Sequence, residues 1–286
     1  MKQIRVELKK DVFLPGEKVE GRVFLSTDEP VKTRAIKVKI VGKEMTKIGS
    51  GKRRVSQTIH ILEDEIILLK DVSDDKFELQ PGSHGYDFNF RIPEKVPPSY
   101  KGWNVSIEYA VEARIDVPYW LDITDRKLLY VLNSSKSLDS LKKQVHFCSA
   151  NFSDYSLDKP SFSAELSMSG FVTGQIIEGT VTLRNPSKSK LRKVDIALSA
   201  IENASAHGRK TTVPYSVSKV NVPARDIIEL MPVRFNLKIP KNVSSSYEGA
   251  ISNLRWAVEI KLDIPFGFDV RAQQPVEIVN ENPIMR

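Results

Sequence analysis

Hydrophobic and polar residues alternate along much of this chain, which is the period expected of strands with one buried face. Between residues 105 and 115, apolar side chains take every second position, and polar residues fill most of the positions between them. The same pattern runs from 254 to 264, with shorter stretches at 88–92 and 231–239. Helical periodicity is limited to a short candidate at 137–145. We therefore predict an all-β protein.

Turn-forming residues separate the alternating runs. They occur at Pro15-Gly16, Gly49-Ser50-Gly51, Pro81-Gly82, Pro97-Pro98 and Asn185-Pro186. Many short strands with turns at regular spacing are typical of antiparallel sandwiches. Burying the apolar stripes takes about seven or more strands in two packed sheets per sandwich.

The pattern occurs twice because the chain contains an internal duplication. Residues 15–25 return 158 positions later as residues 173–183, and the same offset pairs Glu44 with Glu202. Two copies of about 120 to 130 residues form a tandem arrangement, since a solenoid needs at least about three shorter repeats.

The offset between the copies changes once, to 147. It pairs Phe88 with Phe235 and then holds as far as Asn133. The first copy therefore carries eleven extra residues between Glu44 and Phe88, and residues 47–54 are the loop-like part of that interval. A basic, glycine-containing loop on a rigid scaffold is a common place for binding function, although it can equally be passive.

The offsets define immunoglobulin-like β-sandwich domains at 1–133 and 160–280. The Ser- and Lys-rich segment 134–159 has no counterpart inside the other copy, so we assign it to an interdomain linker. Residues 281–286 form a short tail. We expect binding function in features that the two copies do not share.

Composition narrows the class of protein. No stretch approaches about eighteen uncharged apolar residues. Residues 1–5 lead straight into an alternating segment without a signal-peptide core, and Cys148 is the single cysteine. We therefore expect a soluble protein of a reducing, intracellular compartment. The net charge of +7 favours anionic partners, such as phosphopeptides, acidic lipid headgroups, nucleic acid or acidic proteins.

Several motifs, taken in order, resemble the arrestin superfamily. They are PGEKVEGRV at 15–23, VKIVGKE at 38–44, PGSHGYDFNFRIP at 81–93, PPSY at 97–100, GFVTGQ at 170–175, NPS at 185–187 and the run at 194–201. Their order, spacing and duplication extend the resemblance over nearly the whole chain. It is closest to the arrestin-domain-containing, or α-arrestin, type. Retromer-type Vps26 subunits share this fold and form the alternative.

The resemblance implies two curved β-sandwiches that act as a non-catalytic adaptor or scaffold without cofactors. Family members bring cargo receptors or transporters to trafficking or ubiquitination machinery. It therefore implies a cytoplasmic location, peripheral to endosomal or plasma membranes. The chain stops at Arg286 without a long C-terminal tail, and the interdomain polar core of classical arrestins has no residue-by-residue match. These departures weigh against activation by a phosphorylated receptor.

Two basic clusters are the leading candidates for an anion, membrane or partner-binding site. They comprise Lys52, Arg53, Arg54, Lys188, Lys190, Arg192 and Lys193. Each basic residue near an anionic bilayer contributes on the order of 1 kcal/mol, so four give weak, salt-sensitive recruitment. The alternative is that these charges only solvate loops and protect strand edges.

The run Pro97-Pro98-Ser99-Tyr100 fits PPxY, a ligand form for WW domains, which bind extended polyproline II segments. Ser246-Tyr247 takes the equivalent place in the second copy without the prolines. The repeat therefore favours a strand-entry role for Tyr100. WW binding through Pro97, Pro98 and Tyr100 is the alternative.

Catalytic and metal chemistry find little support in the sequence. The four histidines are scattered, and there is no cysteine pair for a structural metal. His146 and Cys148 supply two ligands at most, or a thiol without a positioned base. Neither glycine-rich phosphate motif occurs, and Asp74-Asp75 lies in a turn-like stretch. We predict no catalytic, cofactor-binding or metal site.

An Asp-x-Pro motif recurs in both copies. Asp116 and Asp263 each stand two residues before a proline and are followed by Asp122 or Asp269. Calcium would need more converging oxygen ligands than this pattern supplies. Duplication favours a fold role, such as capping a turn through a carboxylate.

The sequence therefore predicts an arrestin-like adaptor that binds membrane-protein cargo, signalling or trafficking partners through sandwich surfaces and open strand edges. The alternatives are a Vps26-like coat subunit in endosomal protein transport and an extracellular adhesion or carbohydrate-binding sandwich. The lack of a signal peptide and of disulfides weighs against the second. The expected partners are proteins and acidic membrane lipids, and nucleic acid is not expected.

Overall fold

The computed structural model describes residues 2–70, 77–118, 121–133, 141–150, 152, 159–265, 267 and 270–280. Nearly all regular structure in these residues is β-strand, with two short 3₁₀ turns at Gly51–Arg53 and Ala224–Asp226. The predicted all-β fold with two tandem β-sandwich domains is confirmed. Asp74-Asp75, Asp269 and the tail 281–286 lie outside the described residues.

The strands follow the alternating runs of the sequence. Those of the first copy are β1 (Lys2–Leu8), β2 (Val12–Phe13), β3 (Lys18–Thr27), β4 (Val31–Thr33), β5 (Ala35–Ile48), β6 (Val55–Lys70), β7 (Phe77–Leu79), β8 (Gly82–Arg91), β9 (Tyr100–Lys101), β10 (Val105–Asp116) and β11 (Ile123–Val131). Those of the second are β12 (Val145–Cys148), β13 (Ser161–Leu166), β14 (Gly170–Val172), β15 (Ile176–Arg184), β16 (Lys193–Ala206), β17 (Arg209–Pro223), β18 (Pro232–Lys238), β19 (Tyr247–Glu248), β20 (Ser252–Asp263) and β21 (Val270–Val279).

The chain divides into two compact units. Unit 1 consists of residues 1–134 together with 204–210 and 249–252, and unit 2 contains the remainder. In unit 1, one sheet has the order β1-β3-β8, a second has the order β2-β11-β10-β5-β6, and β4 pairs with β7. In unit 2, the sheets have the orders β12-β13-β15-β18 and β14-β21-β20-β16-β17.

The internal duplication reappears in the strand pairing. Strand β5 lies 158 positions before β16, and β10 lies 147 positions before β20, each pair with identical lengths. Strand β2 runs parallel to β11, and β14 runs parallel to β21 in the same way. The central strands β10 and β20 are buried along most of their length, so they form the middle of each core.

A repeated glycine explains one motif that both copies share. A Cβ atom on Gly21 would lie 2.6 Å from the Phe88 ring, and one on Gly179 would lie 2.5 Å from the Phe235 ring. Contacts this short are not tolerated, so each glycine lets a phenylalanine ring cover its strand. The glycine that both copies share at 21 and 179 is therefore a packing requirement of the sandwich.

The extra residues of the first copy are not all in the basic loop. Residues 49–54 connect β5 to β6, whereas residues 207–208 alone connect β16 to β17, so this turn holds four of the eleven. The rest lie further along the chain, where the first copy adds β7 and its pairing with β4. The eleven extra residues between Glu44 and Phe88 are therefore divided between the hairpin tip and the part of the chain from β6 to β8.

The predicted linker contains a strand. Residues 134–140, 151 and 153–158 of this segment lie outside the described residues, and with them residues 137–140 of the helix candidate at 137–145. Val145–Cys148 form β12, which pairs antiparallel with β13 at the edge of a sheet in unit 2. Part of the segment between the copies therefore belongs to the second sandwich.

Candidate functional site

Strand β1 is an edge strand with outward-facing backbone groups. Among the described strands, its only sheet neighbour is β3. The Val6 N–H points away from β3 and donates a hydrogen bond of 2.7 Å to Asp125 Oδ2. Alternate residues of an antiparallel strand present their N–H and C=O groups on the same side. Ile4 and Leu8 therefore also direct their backbone groups outward, which is the arrangement that accepts another strand.

The outer edge of β1 faces a groove with a volume of about 560 Å³. Its walls are β1, the turn that follows it, and Asp125, Arg126 and Lys127 of β11. The groove is lined mainly by backbone and charged side chains, because the apolar residues of β1 point into the core, where Ile4 and Val6 are buried. It is suited to an extended chain that binds through its backbone.

The cations of this groove are already paired. The ion pairs are Arg5–Glu7 at 3.2 Å, Lys9–Glu20 at 2.6 Å, Lys10–Glu17 at 2.7 Å, Arg126–Glu112 at 3.2 Å and Lys127–Asp11 at 3.3 Å. The hydrogen bond between Lys9 and Glu20 raises the pKa of Lys9 and lowers the pKa of Glu20. A phosphate group that bound in this groove would have to compete with these carboxylates for the cations.

The corresponding edge in unit 2 is filled. Ala164 of β13 is the counterpart of Val6 at the offset of 158, and Phe147 of β12 lies opposite it. The Ser149 N–H donates a 2.9 Å hydrogen bond to the Phe162 carbonyl, so the backbone groups of Ser149 face β13. By alternation, the Phe147 N–H faces β13 and the His146 N–H faces away.

The first basic cluster lies on an exposed tip in unit 1. Lys52, Arg53 and Arg54 are exposed in and after the 3₁₀ turn between β5 and β6. None of the three forms an ion pair with a described residue. Arg209, which also belongs to unit 1, donates a 3.1 Å hydrogen bond to the Arg53 carbonyl. The structure thus adds a fourth cation to this tip, which sequence spacing alone could not associate with it.

The second basic cluster is more divided than its sequence suggests. Lys188 and Lys190 are exposed, with no ion pair to any described residue. Lys193 Nζ lies 2.9 Å from Asp195, whose carboxylate also lies 3.2 Å from Lys219. Burial opposes ionisation of Asp195, but hydrogen bonds from the two lysines lower its pKa overall. The charge of Lys193 is therefore largely compensated.

Arg192 also has a role that both copies share. Its N–H donates to the Asp263 carbonyl at 3.0 Å, and its guanidinium lies 3.9 Å from the Asp263 carboxylate. Arg34, its counterpart at the offset of 158, makes the same two contacts to Asp116, at 2.9 and 3.4 Å. The repeated Asp-x-Pro motif thus pairs with a repeated arginine, which supports the fold role expected for it.

The PPxY segment is packed against the first sandwich. Pro98 is buried and Tyr100 is 6% exposed. Two of the side chains that a WW domain would contact therefore face inward. The Tyr109 hydroxyl donates a 2.6 Å hydrogen bond to the Pro97 carbonyl. Burial, with a smaller contribution from the Glu44 charge, raises the pKa of Tyr109, so the hydroxyl remains a donor.

The neighbouring serine makes the same contacts in both copies. The Ser99 N–H donates to the Val131 carbonyl at 2.7 Å, and its hydroxyl accepts the Val131 N–H at 3.0 Å. Ser246 makes the same pair of bonds to Ile278, at 2.7 and 2.9 Å. These shared contacts favour the strand-entry interpretation of the segment.

Glu44 is a buried carboxylate in unit 1 that the sequence did not indicate as a site. Glu44 is fully buried, and it accepts hydrogen bonds from the Ala250 N–H at 2.8 Å, the Ile251 N–H at 3.2 Å and the Ser252 hydroxyl at 2.6 Å. Residues 249–252 belong to unit 1. Three donors compensate a charge that would otherwise be costly to bury.

The described part of the chain holds no group of three or more His, Cys, Asp or Glu residues placed to bind a metal ion. His146 lies 3.6 Å from Glu165, and Cys148 is exposed. No described helix has the length and apolar character needed to cross a membrane.

Both halves of the chain match known domain families. Residues 3–136 match the family described as Arrestin (or S-antigen), N-terminal domain, and residues 156–283 match Arrestin (or S-antigen), C-terminal domain. These matches do not favour the retromer-type alternative.

Curated relatives give the same picture. Arrestin domain-containing protein 4 of Mus musculus is 26% identical over 290 residues, covering 94% of this chain and 69% of the relative. Arrestin domain-containing protein B of Dictyostelium discoideum is 24% identical over 279 residues, covering 96% and 45%. Arrestin domain-containing protein 1 of Rattus norvegicus is 27% identical over 192 residues, covering 65% and 43%. The chain thus spans less than half the length of two of these relatives.

Proposed function

Since the chain belongs to the arrestin family, whose members bind proteins as adaptors, we propose that it holds an extended segment of a partner protein along β1. The partner is membrane-protein cargo, or a component of trafficking or ubiquitination machinery. The segment adds to the sheet β1-β3-β8 as a fourth, antiparallel strand. The chain performs no chemistry on it and brings partners together at a membrane.

One observation carries this proposal: no described strand covers this edge in unit 1, whereas β12 fills it in unit 2. Strand β12 lies against β13 opposite Ser163 to Leu166, which correspond to Arg5 to Leu8 of β1. A strand of four residues therefore fits an edge with this geometry. Each backbone hydrogen bond contributes about 0.5–1.5 kcal/mol net, so a short added strand binds weakly and reversibly.

Exposed basic side chains supply the membrane component of the proposal. Lys52, Arg53 and Arg54 on one tip, and Lys188 and Lys190 on a turn, attract acidic headgroups. Arg192 and Lys193 contribute less, because carboxylates lie beside them. At about 1 kcal/mol for each cation near the surface, this attraction recruits the chain without anchoring it.

The test uses a labelled peptide with the sequence of residues 143–150, carrying Cys148→Ser, and fluorescence anisotropy with the full chain. Two matched peptides carry a single N-methyl group, one on the residue corresponding to Phe147 and one on that corresponding to His146. We expect methylation at Phe147 to weaken binding at least about tenfold, because it removes a donor that faces the edge, and methylation at His146 to change little. Equal affinity of the two methylated peptides would overturn strand addition.

A further inference from the structure

The two copies differ at the position of Asp125, whose carboxylate contacts the β1 edge. Asp125 lies opposite Ala113 in the β10–β11 pair, and Ala272 lies opposite Ile260 in the β20–β21 pair. Ala113 and Ile260 are 147 positions apart, and so are Asp125 and Ala272. Ala272 is therefore the counterpart of Asp125. The open edge has an aspartate at this position, and the filled edge has an alanine.

The Asp125 carboxylate occupies the backbone group that an added strand must reach. Its Oδ2 atom accepts the Val6 N–H at 2.7 Å. In unit 2, the residue equivalent to Val6 is Ala164, whose outward N–H faces β12. A hydrogen bond to a charged acceptor is roughly twice as strong as one to a neutral carbonyl. A strand that binds β1 therefore has to replace a strong acceptor with a weaker one.

We propose that Asp125 gates the β1 edge and selects the strand that enters it. When the edge is empty, the carboxylate satisfies the Val6 amide and protects the edge from unwanted pairing, as inward-pointing charges do on other edge strands. When a partner segment binds, one of its carbonyl groups takes the Val6 N–H and the carboxylate turns aside. This inference rests on the proposed function, because it concerns how the same edge is controlled.

The gate also defines the chemistry of the partner segment. Val6 is 4% exposed, so its side chain points into the sandwich, and the residue opposite it on an added strand points the same way. In unit 2 that residue is Phe147, which is partly buried. An acidic or phosphorylated side chain there would face the Asp125 carboxylate. We infer that the edge takes an extended segment whose central residue is uncharged and apolar.

The test compares Asp125→Ala, which installs the residue of the second copy, with Asp125→Asn and with Thr124→Ala as the control on the same strand. With the 143–150 peptide, we expect Asp125→Ala to bind about fivefold tighter than wild type, because the competing charged acceptor is gone. The peptide affinity of Asp125→Asn should lie between those of Asp125→Ala and wild type, and the affinity of Thr124→Ala should equal that of wild type. A peptide with glutamate at the Phe147 position should gain more from Asp125→Ala than the parent peptide does.

Amide hydrogen exchange gives a readout that does not depend on affinity. The Val6 amide should exchange faster in Asp125→Ala than in wild type, and saturating peptide should restore its protection. If the methylated peptides are discriminated but Asp125→Ala changes neither affinity nor exchange, the gate is wrong and strand addition stands. A second outcome is that no peptide binds wild type or Asp125→Ala, and that peptide does not protect the Val6 amide of Asp125→Ala. That outcome would overturn both strand addition and the gate.

Discussion

The backbone N–H of Val6 and the carboxylate of Asp125, 119 positions apart in the chain, are joined by a hydrogen bond of 2.7 Å. This bond links the edge strand of one sheet in unit 1 to a strand of the other sheet. It satisfies an amide that would otherwise face the groove, and it places a charge where an incoming strand would pair. Under the proposed function, the stability of β1 and its availability to partners therefore depend on the same contact.

A chimera tests whether β1 accepts a strand when one is supplied at high local concentration. Residues 145–160 are placed directly ahead of Gln3, which reproduces the spacing by which β12 reaches β13 in unit 2. We expect the added segment to pair with β1 and to protect the outward amides of Ile4 and Leu8 from hydrogen exchange. Tethering replaces a weak bimolecular event with an intramolecular one.

The matched control for that chimera carries proline at the added copy of Phe147. Its N–H faces the acceptor strand, so proline removes the bond at the centre of the pair. The control should show the same exchange at Ile4 as the natural chain. Equal protection in the chimera and its control would mean that the added segment covers the groove without pairing.

Removal of the Glu44 carboxylate should destabilise unit 1 strongly. In Glu44→Ala, the three donors from residues 250–252 lose their acceptor, and each buried unsatisfied group costs about 1–3 kcal/mol. We expect a loss of about 3 kcal/mol or more in urea unfolding, and a smaller loss in Glu44→Gln, which keeps one oxygen acceptor. Glu63→Ala, an exposed site on β6, should change stability by less than about 0.5 kcal/mol. A Glu44→Ala protein as stable as Glu63→Ala would contradict this account.

The basic side chains can be ranked by their binding to acidic liposomes. Replacing Lys52, Arg53, Arg54, Lys188 and Lys190 by glutamate should abolish co-sedimentation with vesicles that contain phosphatidylserine. Replacing Arg192 and Lys193 instead should weaken it less, since neighbouring carboxylates already compensate these two charges. Wild-type binding should fall as salt rises from 50 to about 300 mM, because exposed charges are screened. Unchanged binding of the five-residue variant would contradict the membrane component.

Asp195 and the two lysines beside it should make a pH-dependent contribution to stability. They hold the pKa of Asp195 below its ordinary value of 3.8, despite the opposing effect of burial. A carboxylate with a lowered pKa in the folded state stabilises the fold above that ordinary value, and its contribution is lost as pH falls through the folded pKa. In urea unfolding between pH 7 and about pH 2, Asp195→Asn should therefore show a shallower acid loss of stability than wild type. Parallel profiles would show that the lysine pairs add nothing.

The sequence predicts the fold well where a pattern is long or repeated. The alternation at 105–115 and its counterpart at 254–264 correspond to β10 and β20, because strands with a buried face need apolar residues at every second position. The duplication also assigned Tyr100 to the fold, and the shared contacts of Ser99 and Ser246 now give the physical reason.

Other features of the structure left weaker traces in the sequence. Strand β12 has four residues, too few for alternation to stand out within a polar segment. Asp125 looks like an ordinary charged residue on a strand, because its partner lies 119 positions away and is a backbone amide. The offset of 147 could have exposed it, since it pairs this aspartate with an alanine. Glu44 and Glu202 were paired by the repeat, yet nothing local indicated that both are fully buried.

The pairing of β12 with β13 also determines the stoichiometry that the proposed function predicts. Because unit 2 closes its own copy of this edge with a segment of the same chain, the proposed function leaves β1 as the one edge among the described strands that takes a strand as β13 takes β12. A titration with such a segment should therefore saturate at one per chain. Under the proposed function, clustering of several partners through this edge requires several copies of the protein, so the local concentration of the protein sets how many partners are gathered.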